Sequence, residues 1–295
     1  MIWLIGNKGM LGQEVGRLLK ERGFTYWGSD KEVDISDYKA LEKFGKDKKI
    51  KCVINCAGYT KVDKAEEEVD EAFRINKDGV RNIALFSAKK QIRLIHISTD
   101  YVFDGRQEKT AAYREDDKTN PINIYGKSKL AGEEEIKKIF EKYFIIRTAW
   151  LYGLQGNNFI YTMLRLFKER DLVKVVEDQW GSPTYTVDLA EAILKIIEDD
   201  SVSYGIYHFT NEDVTSWYEF ARVIYKKAKS LGLIENNKKV KIQSIKTKDY
   251  PTAARRPRYS VLSKEKIKKE FGLKIRNWDE ALEDFLNILS LRPFQ

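Results

Sequence analysis

Residues 2–12 read Ile-Trp-Leu-Ile-Gly-Asn-Lys-Gly-Met-Leu-Gly, a short apolar run that ends in a turn with glycines at Gly6, Gly9 and Gly12. The run predicts a buried strand, and the apolar spacing over 15–19 predicts a helix after the turn. In this order, Gly6 permits a tight turn, Gly9 lets the backbone approach a pyrophosphate, and Gly12 lets the helix pack on the strand. Free N–H groups at the helix start favour phosphate. The segment therefore predicts a dinucleotide-binding unit.

The rest of the first half repeats this alternation of short apolar runs and helical patterns. Continuous β-rich runs separated by amphipathic helices indicate a parallel sheet covered on both faces. Right-handed crossovers between such strands give a doubly wound sheet, so we expect an α/β, Rossmann-type fold. The further runs are 24–27, 53–54, 94–97 and 144–146, of which the last three end in Asn55-Cys56-Ala57-Gly58, Ser98-Thr99-Asp100 and Arg147-Thr148.

The second half predicts a smaller α/β substrate domain. A helix is expected over about 185–197, a capping box at Ser216 and Glu219 opens another that runs towards 230, and 278–289 have helical spacing. A strand-like piece lies at about 242–245. Because no linker separates the halves, we expect interwoven domains. The predicted dinucleotide-binding domain is 1–153 with about 175–207 and 251–272, and the predicted substrate-binding domain is about 154–174, 208–250 and 273–295.

Asp30 follows the second apolar run, 18 residues beyond Gly12. A carboxylate about 20 residues after the glycines can bind the adenosine ribose hydroxyls. Because it would repel a 2′-phosphate, it favours NADH over NADPH. Lys31 weakens that inference, and a solvated Asp-Lys turn is an equal alternative.

Tyr125 and Lys129 form a Tyr-x-x-x-Lys pair after Asn120-Pro121, which predicts a helix with Pro121 at its first position. Residues four apart share one face of a helix. A phenol with a pKa of about 10 is a poor catalyst at neutral pH, and a nearby ammonium lowers that pKa. The tyrosine could then donate a proton to an oxyanion formed by hydride transfer, and the lysine could hold the nicotinamide ribose. The alternative is an exposed helix face.

Thr99 stands at the end of a predicted central strand, where doubly wound sheets bind ligands. Its hydroxyl could hydrogen-bond a substrate carbonyl, although it could equally be a turn residue. The glycine loop, the strand-end hydroxyl and the Tyr-x-x-x-Lys pair, in this order, are much more specific than any one of them. They predict a ketone reductase that uses a nicotinamide cofactor.

With Asn55-Cys56-Ala57-Gly58, this set resembles the extended short-chain dehydrogenases, and more narrowly the dTDP-4-dehydrorhamnose reductase family. The resemblance spans nearly the whole chain, including the substrate half. It is carried by Ser98-Thr99-Asp100-Tyr101-Val102-Phe103, Tyr125-Gly126-Lys127-Ser128-Lys129-Leu130-Ala131-Gly132-Glu133, Arg147-Thr148-Ala149-Trp150-Leu151-Tyr152, Gly156-Asn157-Asn158-Phe159, Asp178-Gln179-Trp180-Gly181-Ser182-Pro183-Thr184, Gly205-Ile206-Tyr207-His208, Pro251-Thr252 and Arg256-Pro257.

The resemblance implies reduction of a dTDP-linked 4-keto-6-deoxysugar to dTDP-L-rhamnose, a step in cell-surface polysaccharide synthesis. It implies the catalytic residues Thr99, Tyr125 and Lys129. The implied cofactor contacts, for NADPH or NADH, are Gly6, Gly9, Met10, Leu11, Gly12, Asp30, Asp34, Ile35, Gly58, Tyr59, Thr60, Tyr125 and Lys129, and the implied substrate contacts are Thr99, Asp100, Trp150, Asn158 and Arg256. An indole can pack on a sugar face, and a guanidinium can bind two oxygens of a diphosphate. Domain-interface packing for Trp150 and a surface charge for Arg256 are the alternatives.

Some members of the family bridge two subunits with magnesium held by glutamates. Glu14 fits one such position, but Val187 follows Pro183-Thr184 where a second carboxylate would be needed, so no metal is expected. His96 is interpreted as a strand residue and not as a base. A homodimer is left open.

The bulk properties favour a cytoplasmic protein that binds neither nucleic acid nor membrane. No apolar run approaches the roughly 20 residues of a membrane span, and residues 1–10 lack the basic region of a signal peptide. The net charge is +8, but most lysines lie in mixed runs such as 133–142, which is typical of a solvated surface. Cys52 and Cys56 lack the partners of a disulfide framework or zinc site, and we interpret them as reduced core residues.

Two other functions stay open at this stage. One is a non-catalytic NADP-binding subunit resembling the regulatory beta subunit of methionine adenosyltransferase, although retention of the three catalytic residues favours an enzyme. The other is a sugar-nucleotide epimerase or dehydratase. A dehydratase would need more acids beside Thr99 than Asp100 alone, and an epimerase would retain its cofactor through turnover.

Overall fold

The computed structural model describes residues 1–106, 111–199 and 203–291. The strands are β1 (Ile2–Ile5), β2 (Tyr26–Ser29), β3 (Cys52–Asn55), β4 (Arg93–Thr99), β5 (Tyr143–Thr148), β6 (Leu151–Tyr152), β7 (Leu172–Val176), β8 (Trp180–Gly181), β9 (Thr184–Tyr185), β10 (Gly205–His208), β11 (Thr215–Ser216) and β12 (Lys241–Ile245). The helices are α1 (Met10–Glu21), α2 (Tyr38–Gly45), α3 (Val69–Phe73), α4 (Val80–Lys90), α5 (Ile124–Ile139), α6 (Phe159–Glu169), α7 (Thr186–Glu198), α8 (Trp217–Ser230), α9 (Glu265–Phe271) and α10 (Trp278–Ser290). Between α3 and α4 the helix continues as a π-helical turn over Arg74–Gly79.

The main sheet has six parallel strands in the order β10-β5-β4-β3-β1-β2. After β2 the chain returns to the other side of β1 to form β3, so the strand order reverses between β1 and β3. Open α/β sheets bind ligands outside the carboxyl ends of their strands at such a reversal. The predicted doubly wound parallel sheet is therefore confirmed.

Helices cover both faces of this sheet, as the alternation along β1 shows. Ile2 and Leu4 belong to a core cluster with residues of α1, α7 and α9. Trp3 and Ile5 belong to another cluster with residues of α2, α4 and α5. Because successive strand side chains point to opposite faces, a strand of four buried residues is covered on both sides.

A separate core lies in the second half of the chain. It joins α6, α8 and α10 with β7 and β12, which pair in parallel as a two-stranded sheet. Tyr152 lies soon after β5 and Tyr185 lies just before α7. Both belong to this second core and stack on each other. The chain thus crosses between the cores several times. The domain boundaries stated above remain a prediction.

Most predicted helices match the structure, but one start is wrong. Ser216 caps α8, since its side chain accepts from Glu219 N at 3.1 Å. The helix expected from Pro121 begins only at Ile124. The cap is Asn123, whose side chain accepts from Gly126 N at 2.7 Å. The asparagine side chain accepts from a free backbone N–H at the helix start, which a proline side chain cannot do. The position of Asn123, and not that of Pro121, therefore determined where α5 begins. The second strand also lies two residues later than its apolar run.

Candidate active site

The glycine loop joins β1 to α1 as a closely packed turn. Gly6 has a φ of +77°, and a Cβ there would lie 2.6 Å from Ala57 N. A Cβ on Gly12 would lie 2.0 Å from Gly6 O. Gly9 caps α1 without a side-chain hydrogen bond, which leaves the first N–H groups of the helix for an outside partner. Leu11 is buried in the core, so only its backbone suits a ligand contact, whereas Met10 is partly exposed.

The two acidic residues predicted to contact the cofactor, Asp30 and Asp34, already form hydrogen bonds or ion pairs within the protein. Asp30 accepts from Lys8 N at 3.1 Å and from Lys31 N at 2.8 Å, which ties it to the glycine loop. Asp34 accepts from Ser36 and forms an ion pair with Arg74 at 3.0 Å. Partial burial acts to raise the pKa of Asp34, but the Ser36 hydrogen bonds and Arg74 lower it overall. Both carboxylates are thus held at the edge of the predicted cofactor cleft, and Ile35 beside them is core.

The loop after β3 runs beside the predicted catalytic lysine. The Tyr59 backbone exchanges two hydrogen bonds with the Asn76 amide, at 2.8 and 3.0 Å, and its hydroxyl donates to Glu68 at 2.6 Å. A Cβ on Gly58 would lie 3.7 Å from Lys129 Nζ. Thr60 is exposed at the end of this loop. Of the predicted loop contacts, the structure therefore brings Gly58 to Lys129.

Thr99 and Tyr125 meet where β4 ends and α5 begins. The Thr99 hydroxyl donates to Asp100 Oδ1 at 3.0 Å and accepts from Tyr101 N at 3.2 Å. The Thr99 side chain also acts on the Tyr125 hydroxyl, whose pKa it lowers against the larger effect of burial. Asp100 is buried, with its Oδ2 unpartnered among the described residues, and burial raises its pKa to about 6. Thr99, Asp100 and Tyr125 form one polar cluster.

Tyr125 does not show the lowered pKa expected from Lys129. Burial raises the pKa of Tyr125 to about 12, and Asp100 raises it further against the opposing hydrogen bond from Thr99. Lys129 donates to Ile97 O at 2.7 Å. Burial lowers the pKa of Lys129 to about 8, although Glu133 and Cys56 act in the opposite direction. The predicted lowering is corrected, because burial is the largest influence on the Tyr125 pKa and Lys129 is not among the groups that act on it, so Tyr125 is a neutral phenol.

Trp150 lies at the same end of the sheet, two residues beyond Thr148, which is the register partner of Thr99. Its backbone has a φ of +48°. Its indole stacks on Trp217 with centroids 3.5 Å apart and an angle of 9°, and a Cβ on Gly181 would lie 2.8 Å from its Nε1. One face of the expected sugar platform is thus covered by Trp217, which the sequence did not single out.

Asn158 and Arg256 are held by structural contacts. Asn158 caps α6 by accepting from Ile160 N and Tyr161 N, and its amide donates to Gly153 O at 2.8 Å. The Arg256 guanidinium is bidentate on Asp63, at 3.1 and 2.6 Å. The proposed diphosphate contact would therefore compete with this ion pair. Burial raises the pKa of Tyr101 and the charge of Arg256 acts to lower it. The Tyr101 ring lies 5.6 Å from that of Tyr125.

Glu14, at the position where some family members hold magnesium, forms an ion pair. Glu14 pairs with Arg17 one turn along α1, and Val187 packs against the second core. Over 1–106, 111–199 and 203–291, no group of three or more His, Cys, Asp or Glu side chains is placed to hold a metal ion. Nor does any helix in those ranges combine the length and apolar character needed to cross a membrane. Cys52 and Cys56 are unbridged, as expected.

Comparisons with known proteins match the chain over nearly its whole length. The family model described as RmlD substrate binding domain matches residues 1–291. The dTDP-4-dehydrorhamnose reductase of Aggregatibacter actinomycetemcomitans is 41% identical over 287 residues, which cover 95% of this chain and 96% of that protein.

Two solved structures are similar to the whole chain. One is a dTDP-4-dehydrorhamnose reductase from Clostridium acetobutylicum, with a TM-score of 0.91, 40% identity and coverage of 98% of this chain and 99% of that one. The other is the dTDP-4-dehydrorhamnose reductase from Bacillus anthracis in complex with NADP, with a TM-score of 0.90, 40% identity and coverage of 97% and 98%.

Proposed function

The chain belongs to the family described as RmlD substrate binding domain, and on that premise we propose that it is an NADPH- or NADH-dependent reductase of a nucleotide-linked 4-keto-6-deoxysugar. The proposed substrate is dTDP-4-dehydrorhamnose and the proposed product is dTDP-L-rhamnose. The observation that carries this proposal is the cluster of Thr99, Asp100 and Tyr125 at the end of β4, with Lys129 one turn along α5 and bonded to Ile97 O of the same strand.

The residues present fit a dinucleotide. The uncapped start of α1 suits the pyrophosphate, and Asp30 stands at the end of β2 for the adenosine ribose. Lys129 and Gly58 lie together for the nicotinamide ribose. When bound, the reduced nicotinamide supplies the hydride.

Tyr125 supplies the proton in the proposed reaction. Hydride addition places negative charge on the ketone oxygen, and the neutral phenol donates its proton to that oxygen. Thr99 can donate its single hydroxyl proton to the same oxygen once it releases Asp100 Oδ1. A phenol whose pKa is raised to about 12 carries its proton at neutral pH, although the raised pKa makes it a weaker acid than an ordinary tyrosine. The acid form is what general acid catalysis requires.

The substrate contacts are part of the proposal. Asp100 lies beside Thr99 with one carboxylate oxygen unpartnered, which suits a sugar hydroxyl. Trp150 offers the part of its indole that Trp217 leaves uncovered. Arg256 could bind a diphosphate if it exchanged Asp63 for it, whereas Asn158 is more fully engaged as a helix cap.

The decisive experiment measures oxidation of NADPH and NADH with dTDP-4-dehydrorhamnose and with other nucleotide-linked ketosugars. We expect turnover with the first substrate and a preference for it. Cofactor binding without oxidation by any ketosugar would favour the regulatory-subunit alternative. Cofactor that stays tightly bound through purification and turnover would favour an epimerase. We extend the proposal to a cytoplasmic location and a homodimer, which cell fractionation and light scattering would test.

A further inference from the structure

Two buried residues that the proposed reaction does not use lie behind Lys129. Asn55 ends β3 and faces His96 of β4 in the strand register, and both are fully buried. Asn55 Nδ2 lies 3.0 Å from His96 Nδ1. On the other side of the ring, His96 Nε2 lies 3.5 Å from Lys129 Nζ. The imidazole therefore connects the asparagine to the lysine.

The neighbours of Asn55 determine which nitrogen of His96 carries the proton. Ala57 N donates to Asn55 Oδ1 at 3.0 Å. A backbone N–H can only donate, so the amide oxygen must face Ala57 and the amide nitrogen must face the ring. His96 Nδ1 must then accept. Burial and the charge of Lys129 lower the pKa of His96 well below its ordinary value, so the ring is neutral. Its single proton is on Nε2, which faces the lysine.

This arrangement suits a free amine better than an ammonium. An ammonium carries only donors, so it meets the Nε2–H as donor against donor, whereas a free amine can accept from it. Two other titratable groups act on Lys129. Cys56 is a neutral thiol, since burial raises its pKa to about 12. Glu133 already accepts from Ser98 and Arg147.

We propose that Asn55 fixes the tautomer of His96, and that the resulting Nε2–H disfavours the charged form of Lys129. His96 is then a positioning residue that acts through the lysine. The inference rests on the proposed function only in treating Lys129 as the active-site lysine. Its consequence is that Lys129 exchanges its proton near neutral pH, far below the pH at which an ordinary lysine titrates.

The tautomer can be observed directly in the wild-type protein. The chain has two histidines, so the side-chain ¹⁵N signals of a histidine-labelled sample can be assigned with a His208→Gln variant. We expect His96 to be a neutral Nε2–H imidazole from roughly pH 5 to 9, a range in which an ordinary histidine would titrate. An Nδ1–H tautomer or a titrating ring would overturn the proposal.

Asn55→Asp is the variant that reverses the tautomer. A carboxylate still accepts from Ala57 N but also accepts from the ring, so the proton should move to Nδ1 and leave Nε2 as an acceptor for Lys129. We expect the pKa of Lys129 to rise by about one unit or more. Lysine side-chain NMR would measure it, with Lys129→Met for assignment. His208→Gln, which removes a buried histidine next to Arg147 instead, should leave the Lys129 pKa unchanged.

The outcomes separate this inference from the proposed function. A higher Lys129 pKa in Asn55→Asp with an unchanged His96 tautomer would show that the new charge acts alone, which contradicts the proposal. The alkaline limb of kcat/KM should move up together with the Lys129 pKa. The NMR titrations need no substrate, so they stand if no ketosugar is reduced. Conversely, an active reductase whose Lys129 titrates near the ordinary value of about 10.4 would refute only this inference.

Discussion

At the scale of single residues, the active site depends on how burial changes ordinary acid–base behaviour. Tyr125 and Lys129 both move towards their neutral forms, with pKa values of about 12 and about 8. A neutral phenol donates a proton, whereas a phenolate accepts one. Tyr125 therefore carries the proton that reduction of a ketone requires, but burial does not give it the lowered pKa that the Tyr-x-x-x-Lys spacing alone suggested.

Tyr125→Phe tests the proton donor. The change removes one hydroxyl and keeps the ring, so folding and cofactor binding should survive. General acid catalysis contributes roughly 10²–10⁴-fold, and kcat with saturating cofactor and substrate should fall by that order. The control is Tyr143→Phe, on the far end of β5, which should retain wild-type turnover. A kcat of Tyr125→Phe within a few-fold of wild type would refute the assignment.

Trp150 combines a strained backbone with a stacked side chain. A bulky residue in the left-handed region costs roughly 1–3 kcal/mol, which the stack on Trp217 helps to offset. Trp150→Ala should raise KM for the nucleotide sugar strongly and leave cofactor affinity nearly unchanged. Steady-state kinetics and cofactor fluorescence titration would measure both. Equal losses of the two, with a lower urea midpoint, would mean that Trp150 holds the fold and not the sugar.

At the scale of elements, the β1–α1 turn is the part whose local sequence most fully explains its structure. Close backbone approaches require Gly6 and Gly12, whereas Gly9 is less tightly constrained. A Cβ on Gly12 would meet the backbone of Gly6 at 2.0 Å, while a Cβ on Gly9 would meet it at 3.3 Å, which is tight but tolerable. Gly12 is thus needed for packing, and Gly9 is free to serve a ligand.

Gly9→Ala and Gly12→Ala should therefore fail in different ways. Gly9→Ala adds a methyl group where a pyrophosphate would approach, so cofactor affinity should fall by about tenfold or more with little loss of stability. Gly12→Ala forces α1 away from the turn, so the urea midpoint should fall as well. Cofactor titration and urea unfolding of both variants would measure this. Unchanged cofactor binding in Gly9→Ala would remove the loop from the proposed site.

At the scale of the whole molecule, buried polar contacts connect distant segments. Glu133 of α5 and Arg147 of β5 form a fully buried ion pair at 2.7 Å, and Arg147 also contacts His208 of β10. Asp63 and Arg256, a pair that is only partly buried, join the two halves of the sequence. These contacts place α5, and with it Tyr125, against the sheet.

Glu133→Gln should weaken the whole fold. It leaves the Arg147 charge buried without its carboxylate, and breaking a buried pair in this way costs about 3–5 kcal/mol. The free energy of unfolding in urea would measure the loss. Glu169→Gln is the matched control, because its pair with Arg165 is more than half exposed and should contribute less than about 1 kcal/mol. Similar losses in both variants would contradict the structural role.

The sequence alone was enough to predict the doubly wound sheet, the glycine turn and the Ser216 cap, because local spacing and backbone geometry determine such features. Resemblance then supplied the family and the expected site residues. Only the tertiary structure could show that Trp217 covers Trp150, that Asp63 holds Arg256, and that His96 faces Lys129. These contacts join residues far apart in the chain. They and the pKa shifts depend on burial and on neighbours from other elements, which no local pattern records.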